Sequence, residues 1–177
     1  MDFPRRVPFV EAQGFELLSM GGGEAELAVT LRADQVNSFG VAHGGLSMTL
    51  LDTAMAHAAL SVNLAPGMPG EPANAGPGVV TIEMKTSFLR PGQGRLVARA
   101  RLLHRTATLA FVEGSLWGET GQLCAQASGT FKYLSGLPTG RRKVQVPTLA
   151  SQKEAADATA LAVAAPPNSP WQGHGSD

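Results

Sequence analysis

The sequence predicts an α+β fold in which a curved antiparallel sheet wraps around one long central helix. An apolar, Ala-rich run at 44–65 is long enough for a buried helix. Four strand-like runs follow it, and no second long helical run is available to cross between parallel strands. Helix and strands would each reach roughly 30 Å, so they can lie along one another.

Two short strands are predicted before the helix. Residues 24–31 alternate between apolar and polar side chains with period two, which indicates a strand. Residues 15–20 are predicted as its partner, joined to it through the glycine turn at 21–23. Residues 1–14 are expected to form an N-terminal extension.

The apolar run at 44–65 also resembles a membrane span. Asp52 lies near its middle, where a charge costs roughly 2.5 to 3.5 kcal/mol on insertion scales. A helix buried inside a globular fold therefore explains the run better. The Pro- and Gly-rich stretch at 65–78 is predicted to be a loop.

Four long strands are predicted at 79–89, 94–103, 108–117 and 122–134, and we expect them to form an antiparallel meander. Alternation in the first of them predicts one face made of Val80, Ile82, Met84, Thr86 and Phe88, opposite Thr81, Glu83, Lys85 and Ser87.

The composition changes from residue 135 onward. A basic cluster at 141–143 precedes an Ala-rich stretch and then a Pro-rich one. We expect 135–177 to be a disordered C-terminal tail, with one short helix at 149–164 as an option, after a folded domain at 15–134.

Charge and motif content exclude several classes of function. Fourteen basic residues balance fourteen acidic ones, so no global field would attract nucleic acid or an anionic membrane. Four histidines and the single Cys124 lack the spacing of metal ligands, and no phosphate loop, dinucleotide fingerprint or Gly-x-Ser-x-Gly element is found. Residues 1–6 are not followed by an apolar signal run, so a cytoplasmic location is expected.

The residues that suggest chemistry surround the start of the predicted helix. Asn37 precedes His43 by six residues, and Gly44 and Gly45 follow it directly. A helix N-terminus offers free N–H groups with a favourable dipole, and glycines allow a substrate to come close to them. The Asn37 side chain can donate a hydrogen bond, and His43 can orient it or donate itself. Such donors suit the oxyanion that develops in acyl transfer.

Asp52 follows His43 by nine residues and is the only acid in the apolar helix. Desolvation there would raise its pKa unless donors stabilise the carboxylate. It could act as a nucleophile that forms an anhydride, or as a general base on water, and the sequence leaves both open. A purely structural pairing with a buried polar partner is the alternative.

The run from Asn37 through His43-Gly44-Gly45 to Asp52 resembles the signature of hotdog-fold acyl-CoA thioesterases of the phenylacetate-degradation (PaaI-like) type, and the resemblance extends over 15–134. It implies hydrolysis of an acyl- or aryl-acyl-coenzyme A to free acid and CoA, without a cofactor. It implies that Thr81 places or shares the attacking water beside Asp52. It also implies a homodimer built around a two-fold axis, commonly paired again into a homotetramer.

The spacing within the helix has a consequence for assembly. Gly44 and Asp52 are eight residues apart, which separates their backbones by about 12 Å. An attacking oxygen roughly 3 to 3.5 Å from the carbonyl carbon, with a donor about 3 Å from the carbonyl oxygen, needs less room. We therefore expect Asn37, His43 and Gly44 of one subunit to face Asp52 and Thr81 of the other.

Further binding residues and rival functions remain open. Arg90 and Arg105 lie at predicted strand ends, where a guanidinium could hold CoA phosphates or simply be solvated. Gly45 is predicted to contact substrate. Residues 40–44 also look like part of a hydratase or dehydratase signature on the same fold, but 34–39 lack the histidine those enzymes carry. A non-catalytic acyl-CoA-binding module would be expected to lose the carboxylate of Asp52.

Overall fold

The structure is a computed structural model and describes residues 1–63 and 78–134. Its elements, in chain order, are α1 (Pro8–Gln13), β1 (Glu16–Gly21), β2 (Glu24–Thr30), a 3-10 turn (Ala33–Gln35), α2 (Gly44–Ser61), β3 (Gly78–Phe88), β4 (Arg95–Arg105), β5 (Leu109–Trp117) and β6 (Leu123–Leu134). The predicted loop at 65–78, except Gly78, and the predicted tail at 135–177 with its optional helix lie outside the described residues.

Helix α2 supplies most of the core. Its 18 residues pack against every strand of the sheet, and Leu50, Leu51, Ala54 and Met55 are fully buried. Close contact depends on strand positions without side chains, because a Cβ at Gly114 would lie only 3.2 Å from atoms of Leu51 and Met55. Within the described residues, the predicted α+β class with one long helix and an antiparallel sheet is confirmed.

The strand order differs from the predicted meander. The six strands are ordered β1-β2-β4-β5-β6-β3, and each neighbouring pair is antiparallel. β3 therefore pairs with β6 and not with β4, so only β4, β5 and β6 form a meander. After β3 the chain continues beside β6, where the N–H groups of Leu89 and Arg90 both donate to the Cys124 carbonyl. The next strand, β4, pairs with β2. The four-strand meander was wrong because consecutive strands are neighbours only most of the time.

A β-bulge in β3 also corrects the predicted alternation. Thr81 pairs with Phe131 and Met84 pairs with Gly129, while the register shifts between Thr81 and Glu83. Residues paired across antiparallel strands share a face, so Thr81 and Met84 both face the helix. The extra residue at Ile82 moves Thr81 to the face opposite to that predicted from strict period two.

The predicted N-terminal extension contains helix α1, which the sequence pattern did not predict. Val10 of this helix is buried, and Phe3 before it contacts the His57 ring edge-on with 5.2 Å between ring centroids. Six residues are too few to show helical periodicity. Pro8 at the start and Gly14 at the end, with φ of 72°, are the local signals that mark its limits.

Candidate active site

His43 shapes the start of α2. It occupies the N-cap, and its Nδ1 accepts a hydrogen bond of 3.0 Å from the Gly45 N–H. A neutral ring that accepts at Nδ1 carries its proton on Nε2, so the outer nitrogen is the donor. The Gly44 N–H has no acceptor among the described residues. Gly44 therefore offers the open donor at this helix end, whereas the Gly45 amide is engaged.

Asn37 is held by the loop that precedes α2. Its Oδ1 accepts from the Phe39 N–H at 2.9 Å and from the Val41 N–H at 3.4 Å, and Gly40 completes the turn with φ of 72°. These bonds direct the carboxamide oxygen toward its own loop, and no described residue accepts from the Nδ2 group. This orientation leaves a side-chain donor available.

Asp52 and Thr81 form a direct pair between α2 and β3. The Thr81 hydroxyl donates to Asp52 Oδ1 at 2.7 Å. Burial raises the pKa of the Asp52 carboxyl above its usual value, and the hydrogen bond from Thr81 opposes that rise. The β-bulge at Ile82 makes this pair possible, since it turns Thr81 toward the helix. The result is a half-buried carboxylate that holds a proton more readily than an exposed aspartate.

A cleft of about 360 Å³ lies beside the N-terminus of α2. Asn37 and Gly44 line it from the helix side, and Phe88, Leu89 and Arg90 line it from the end of β3. Arg90 is exposed and donates to the Leu123 carbonyl at 3.3 Å. Asp52 and Thr81 are not among the residues that line this cleft.

Arg105 belongs to a different cleft. It donates to Asn63 Oδ1 at 2.8 Å and lines a space of about 440 Å³ with Tyr133 near the C-terminal end of α2. The Tyr133 hydroxyl donates to the Ala59 carbonyl at 3.1 Å. Arg90 and Arg105 therefore lie at opposite ends of the helix.

Comparison with known proteins identifies the family. The family model described as "Thioesterase superfamily" matches residues 39–125. Acyl-coenzyme A thioesterase PaaI of Escherichia coli is 29% identical over 132 residues, which cover 73% of this chain and 85% of that protein. Human acyl-coenzyme A thioesterase 13 is 29% identical over 117 residues, 64% of this chain and 76% of that protein.

Solved structures give the same result at the level of the fold. A mutant of the phenylacetic acid degradation protein PaaI from Thermus thermophilus is 30% identical with a TM-score of 0.59, and the match covers 72% of this chain and 100% of that one. The E. coli PaaI structure is 26% identical with a TM-score of 0.61, covering 72% and 85%. The chain belongs to the thioesterase superfamily. It is a PaaI-like thioesterase with the hotdog fold and a thioester hydrolase, as the sequence predicts.

In this PaaI-like thioesterase the predicted site residues fall into separate groups within one subunit. Asn37 and Gly44 share a cleft with Arg90, Asp52 meets Thr81, and Arg105 lies elsewhere. His43 and Gly45 are exposed at the helix start and bond to each other. A single chain therefore does not bring the predicted oxyanion donors and the Asp52 carboxylate together.

Sequence reasoning gave no role in the site to Phe88 of the thioesterase. A Cβ built at Gly44 would lie 3.5 Å from Phe88 Cζ, so the ring lies against the helix N-terminus. Phe88 nevertheless remains 55% exposed at the end of an edge strand. A large apolar side chain exposed near polar donors is the signal that could have singled it out, but it becomes visible only in three dimensions.

Within residues 1–63 and 78–134 of the thioesterase, no helix has both the length and the apolar character needed to cross a membrane. No group of three His, Cys, Asp or Glu side chains there is arranged to hold a metal ion.

Proposed function

We propose that this thioesterase hydrolyses an acyl- or aryl-acyl-coenzyme A to the free acid and CoA, with Asp52 as the catalytic carboxylate. The observation that carries the proposal is the 2.7 Å bond between Thr81 and the half-buried Asp52. A carboxylate with a raised pKa is a stronger base than an exposed one, and a hydroxyl beside it can help to position water. The acyl-coenzyme A thioesterase names of the relatives support the substrate class.

In the proposed reaction the thioester carbonyl oxygen accepts hydrogen bonds from Asn37 Nδ2–H and the Gly44 N–H. Water loses a proton to Asp52 as its oxygen bonds to the carbonyl carbon, and the two donors stabilise the resulting oxyanion. When the carbonyl re-forms, the carbon–sulfur bond breaks and the departing thiolate takes the proton from Asp52. Water is the only co-reactant, and no metal or cofactor enters the reaction.

A second route keeps the same residues. The Asp52 carboxylate attacks the carbonyl carbon, expels the thiolate and forms an anhydride that water then hydrolyses. Label on Asp52 after a single turnover in ¹⁸O-water shows the nucleophilic route, with water attacking the Asp52 carbonyl of the anhydride. Label on the product acid alone results from the general-base route and also from attack of water on the acyl carbonyl of the anhydride.

We infer that the site is completed by a second subunit across strand β3. β3 is an eleven-residue edge strand, with the apolar side chains of Val80 and Ile82 exposed. Two such edges pairing antiparallel would bring the Phe88 end of one strand beside the Thr81 end of the other. Phe88 lies against Gly44, so this pairing carries Asp52 of one subunit toward the oxyanion donors of its partner.

The dimer is expected to pair again into a homotetramer, and native mass spectrometry would measure both states. The proposed reaction is expected to take place in the cytoplasm, where free CoA thioesters are available.

Arg105 is a better candidate than Arg90 for binding the CoA phosphates. Arg90 lines the cleft that contains Gly44, next to the reacting carbonyl. Arg105 pairs with Ala110 on β5, Ala110 pairs with Phe131 on β6, and Phe131 pairs with Thr81 on β3. Arg105 and Thr81 are therefore three strand spacings apart, which is about 14 Å. The long pantetheine arm of CoA requires such a distance between thioester and phosphates.

Replacing the carboxylate tests the proposal. Asp52→Asn should lower kcat by roughly 100- to 10,000-fold, because the amide can neither take a proton nor attack. The amide oxygen still accepts from Thr81, and a buried charge is removed, so the melting temperature should stay equal or rise. Loss of thioester absorbance is the readout.

Asp34→Asn is the matched control. Asp34 is an exposed acid paired with Arg32, and its replacement should leave kcat unchanged. Hydrolysis by Asp52→Asn at the parent rate would remove Asp52 from the mechanism.

A further inference from the structure

Gln35 is a buried polar residue in the 3-10 turn that precedes α2, and it is only 5% exposed. Its Nε2 group donates to the Gln13 carbonyl at 2.8 Å, and its Oε1 accepts from the Arg32 N–H at 3.1 Å. Its backbone carbonyl accepts from the His43 N–H at 3.0 Å. One residue therefore connects the last residue of α1 with the N-cap of α2.

These bonds close the base of the loop that carries the proposed oxyanion donors. The bond between Gln35 and His43 joins the two ends of the loop at 36–42, and the first and last residues of this loop form a β-bridge. Asn37 lies in the loop, and Gly44 follows it at the start of α2. The two donors, Asn37 Nδ2–H and the Gly44 N–H, therefore share one base.

Hydrogen bonds at this base decide where the loop lies. None of the residues at 36–42 is buried, so the loop has little core packing of its own. The N-terminal helix is anchored differently, since Val10 within it and Phe15 just after it are each 6% exposed and belong to the hydrophobic core. The Gln13 carbonyl lies between them in the chain and accepts from the Gln35 side chain. Gln35 thus ties a weakly packed loop to a well-packed helix.

We propose that Gln35 is a positioning residue for the oxyanion donors, and that it holds Asn37 and Gly44 in place through its bond to α1. The inference rests on the proposed function and adds to it a residue that does not touch the substrate. Gln35 is not among the residues that line the cleft beside Gly44, so it acts only through the loop and the helix N-terminus. The N-terminal extension thereby takes part in arranging the site.

Accurate placement of the donors is what such a residue contributes. Oxyanion donors act at about 2.7 to 3.1 Å from the oxygen, and a misplacement of about 1 Å can lower the rate roughly 100-fold. A second tie, from the Ala42 N–H to the Gly92 carbonyl at 2.9 Å, does not involve the Gln35 side chain. Loss of that side chain should therefore loosen the donors without removing them, which predicts a smaller effect than deletion of a donor.

Gln35→Leu in the full chain tests the positioning role, because leucine is similar in size but makes neither side-chain hydrogen bond. We expect kcat to fall about tenfold and KM to change less than about twofold, since oxyanion contacts act mainly in the transition state. Both constants are measured with acetyl-, hexanoyl- and phenylacetyl-CoA, at a temperature where circular dichroism shows every variant fully folded. Gln126→Leu makes the same change at an exposed position of β6 and should leave kcat unchanged.

Asn37→Ala supplies a second readout, which a residue with a purely structural role would not change. Gln35 acts through two donors in this proposal, so removing one of them should reduce the penalty of Gln35→Leu. The factor by which Gln35→Leu lowers kcat should therefore be smaller in Asn37→Ala than in the parent. A residue that only stabilises the fold would lower kcat by the same factor in both backgrounds.

Each outcome decides between the two proposals. No hydrolysis of any acyl-CoA by the parent removes the proposed function itself. An active parent whose kcat is unchanged by Gln35→Leu, an effect confined to KM, or an equal loss with and without the Asn37 carboxamide overturns the positioning role alone. If Gln35→Leu does not fold, Gln35→Met repeats the test with an unbranched side chain that cannot donate to Gln13.

Discussion

At the scale of the residue, two opposing effects act on the pKa of the Asp52 carboxyl. Burial in α2 disfavours its charge and raises the pKa, while the hydroxyl of Thr81 stabilises the charge and lowers it. The folded protein therefore binds this proton more tightly than the unfolded chain does. Stability from this group is present at low pH and is lost as pH rises through the raised pKa, so the charged form of Asp52 costs stability.

Thr81→Val should move the acidic limb of the kcat/KM profile to higher pH. In the proposed reaction, activity needs the charged carboxylate and falls as pH drops through the pKa of Asp52, which lies above its usual value of 3.8. Removing the hydroxyl removes the effect that lowers this pKa, so the limb shifts upward. Thr130→Val is the control, because Thr130 donates to Glu83 at an exposed site. A downward shift, or an equal shift in both variants, would contradict the assignment.

Arg105→Ala should raise KM for CoA thioesters roughly tenfold or more, because a charge-assisted hydrogen bond to phosphate is lost. The same variant should treat a short thioester of N-acetylcysteamine as the parent does, since that substrate has no phosphates. Arg90→Ala, at the other end of α2, is the comparison. Steady-state kinetics with both substrates decide the matter, and a KM effect confined to Arg90→Ala would reverse the assignment.

At the scale of the element, α2 fits its sheet because β5 and β6 carry glycine where the helix comes closest. A Cβ at Gly114 would lie 3.2 Å from Leu51 and Met55, and one at Gly129 would lie 3.4 Å from Met55. The absence of side chains at these two positions lets the helix pack close to the sheet. This close packing sets the distance between Asp52 on α2 and Thr81 on β3.

Gly114→Val should lower the free energy of unfolding by about 1 to 3 kcal/mol, because the added side chain overpacks the helix-sheet contact. Gly21→Ala in β1 is the matched control, since a Cβ there meets nothing within 4 Å. Urea titration of both variants measures the difference. Equal stability of the two would show that the helix moves aside without cost.

The bulge in β3 shows how one residue sets the chemistry of an element. Without the extra residue at Ile82, strict alternation would place Thr81 on the outer face with Glu83. With it, Thr81 faces α2 and the strand still presents Met84 to the core. The irregularity therefore coincides with the site.

At the scale of the whole molecule, the proposed site needs two subunits, and mixing two inactive variants tests this. Asp52→Asn lacks the carboxylate, and Asn37→Ala lacks an oxyanion donor. A heterodimer of the two would contain one intact site, so co-expression should restore about one quarter of parent activity in a random mixture. Each variant expressed alone is the control. No restoration in a mixture shown to contain heterodimers would place the whole site within one subunit.

The amino-acid sequence by itself determined the helix, the strands and the family. The long apolar run at 44–65 predicts the helix, and period-two alternation predicts strands. The spacing of Asn37, His43 and Asp52 carries the family resemblance. The sequence also fixed the separation of Gly44 and Asp52, since the rise of an α-helix is constant. For the short helix α1, the local sequence signals are Pro8 at its start and Gly14 at its end.

Only the tertiary structure decided which strands are neighbours, which way Thr81 faces and what lies against Gly44. Pairing of β3 with β6 depends on contacts between residues far apart in the chain, and no local pattern encodes them. The bulge at Ile82 has no distinctive residue type, and Phe88 reaches Gly44 only because two distant segments meet. Local structure follows from local sequence, whereas the site depends on how the elements pack.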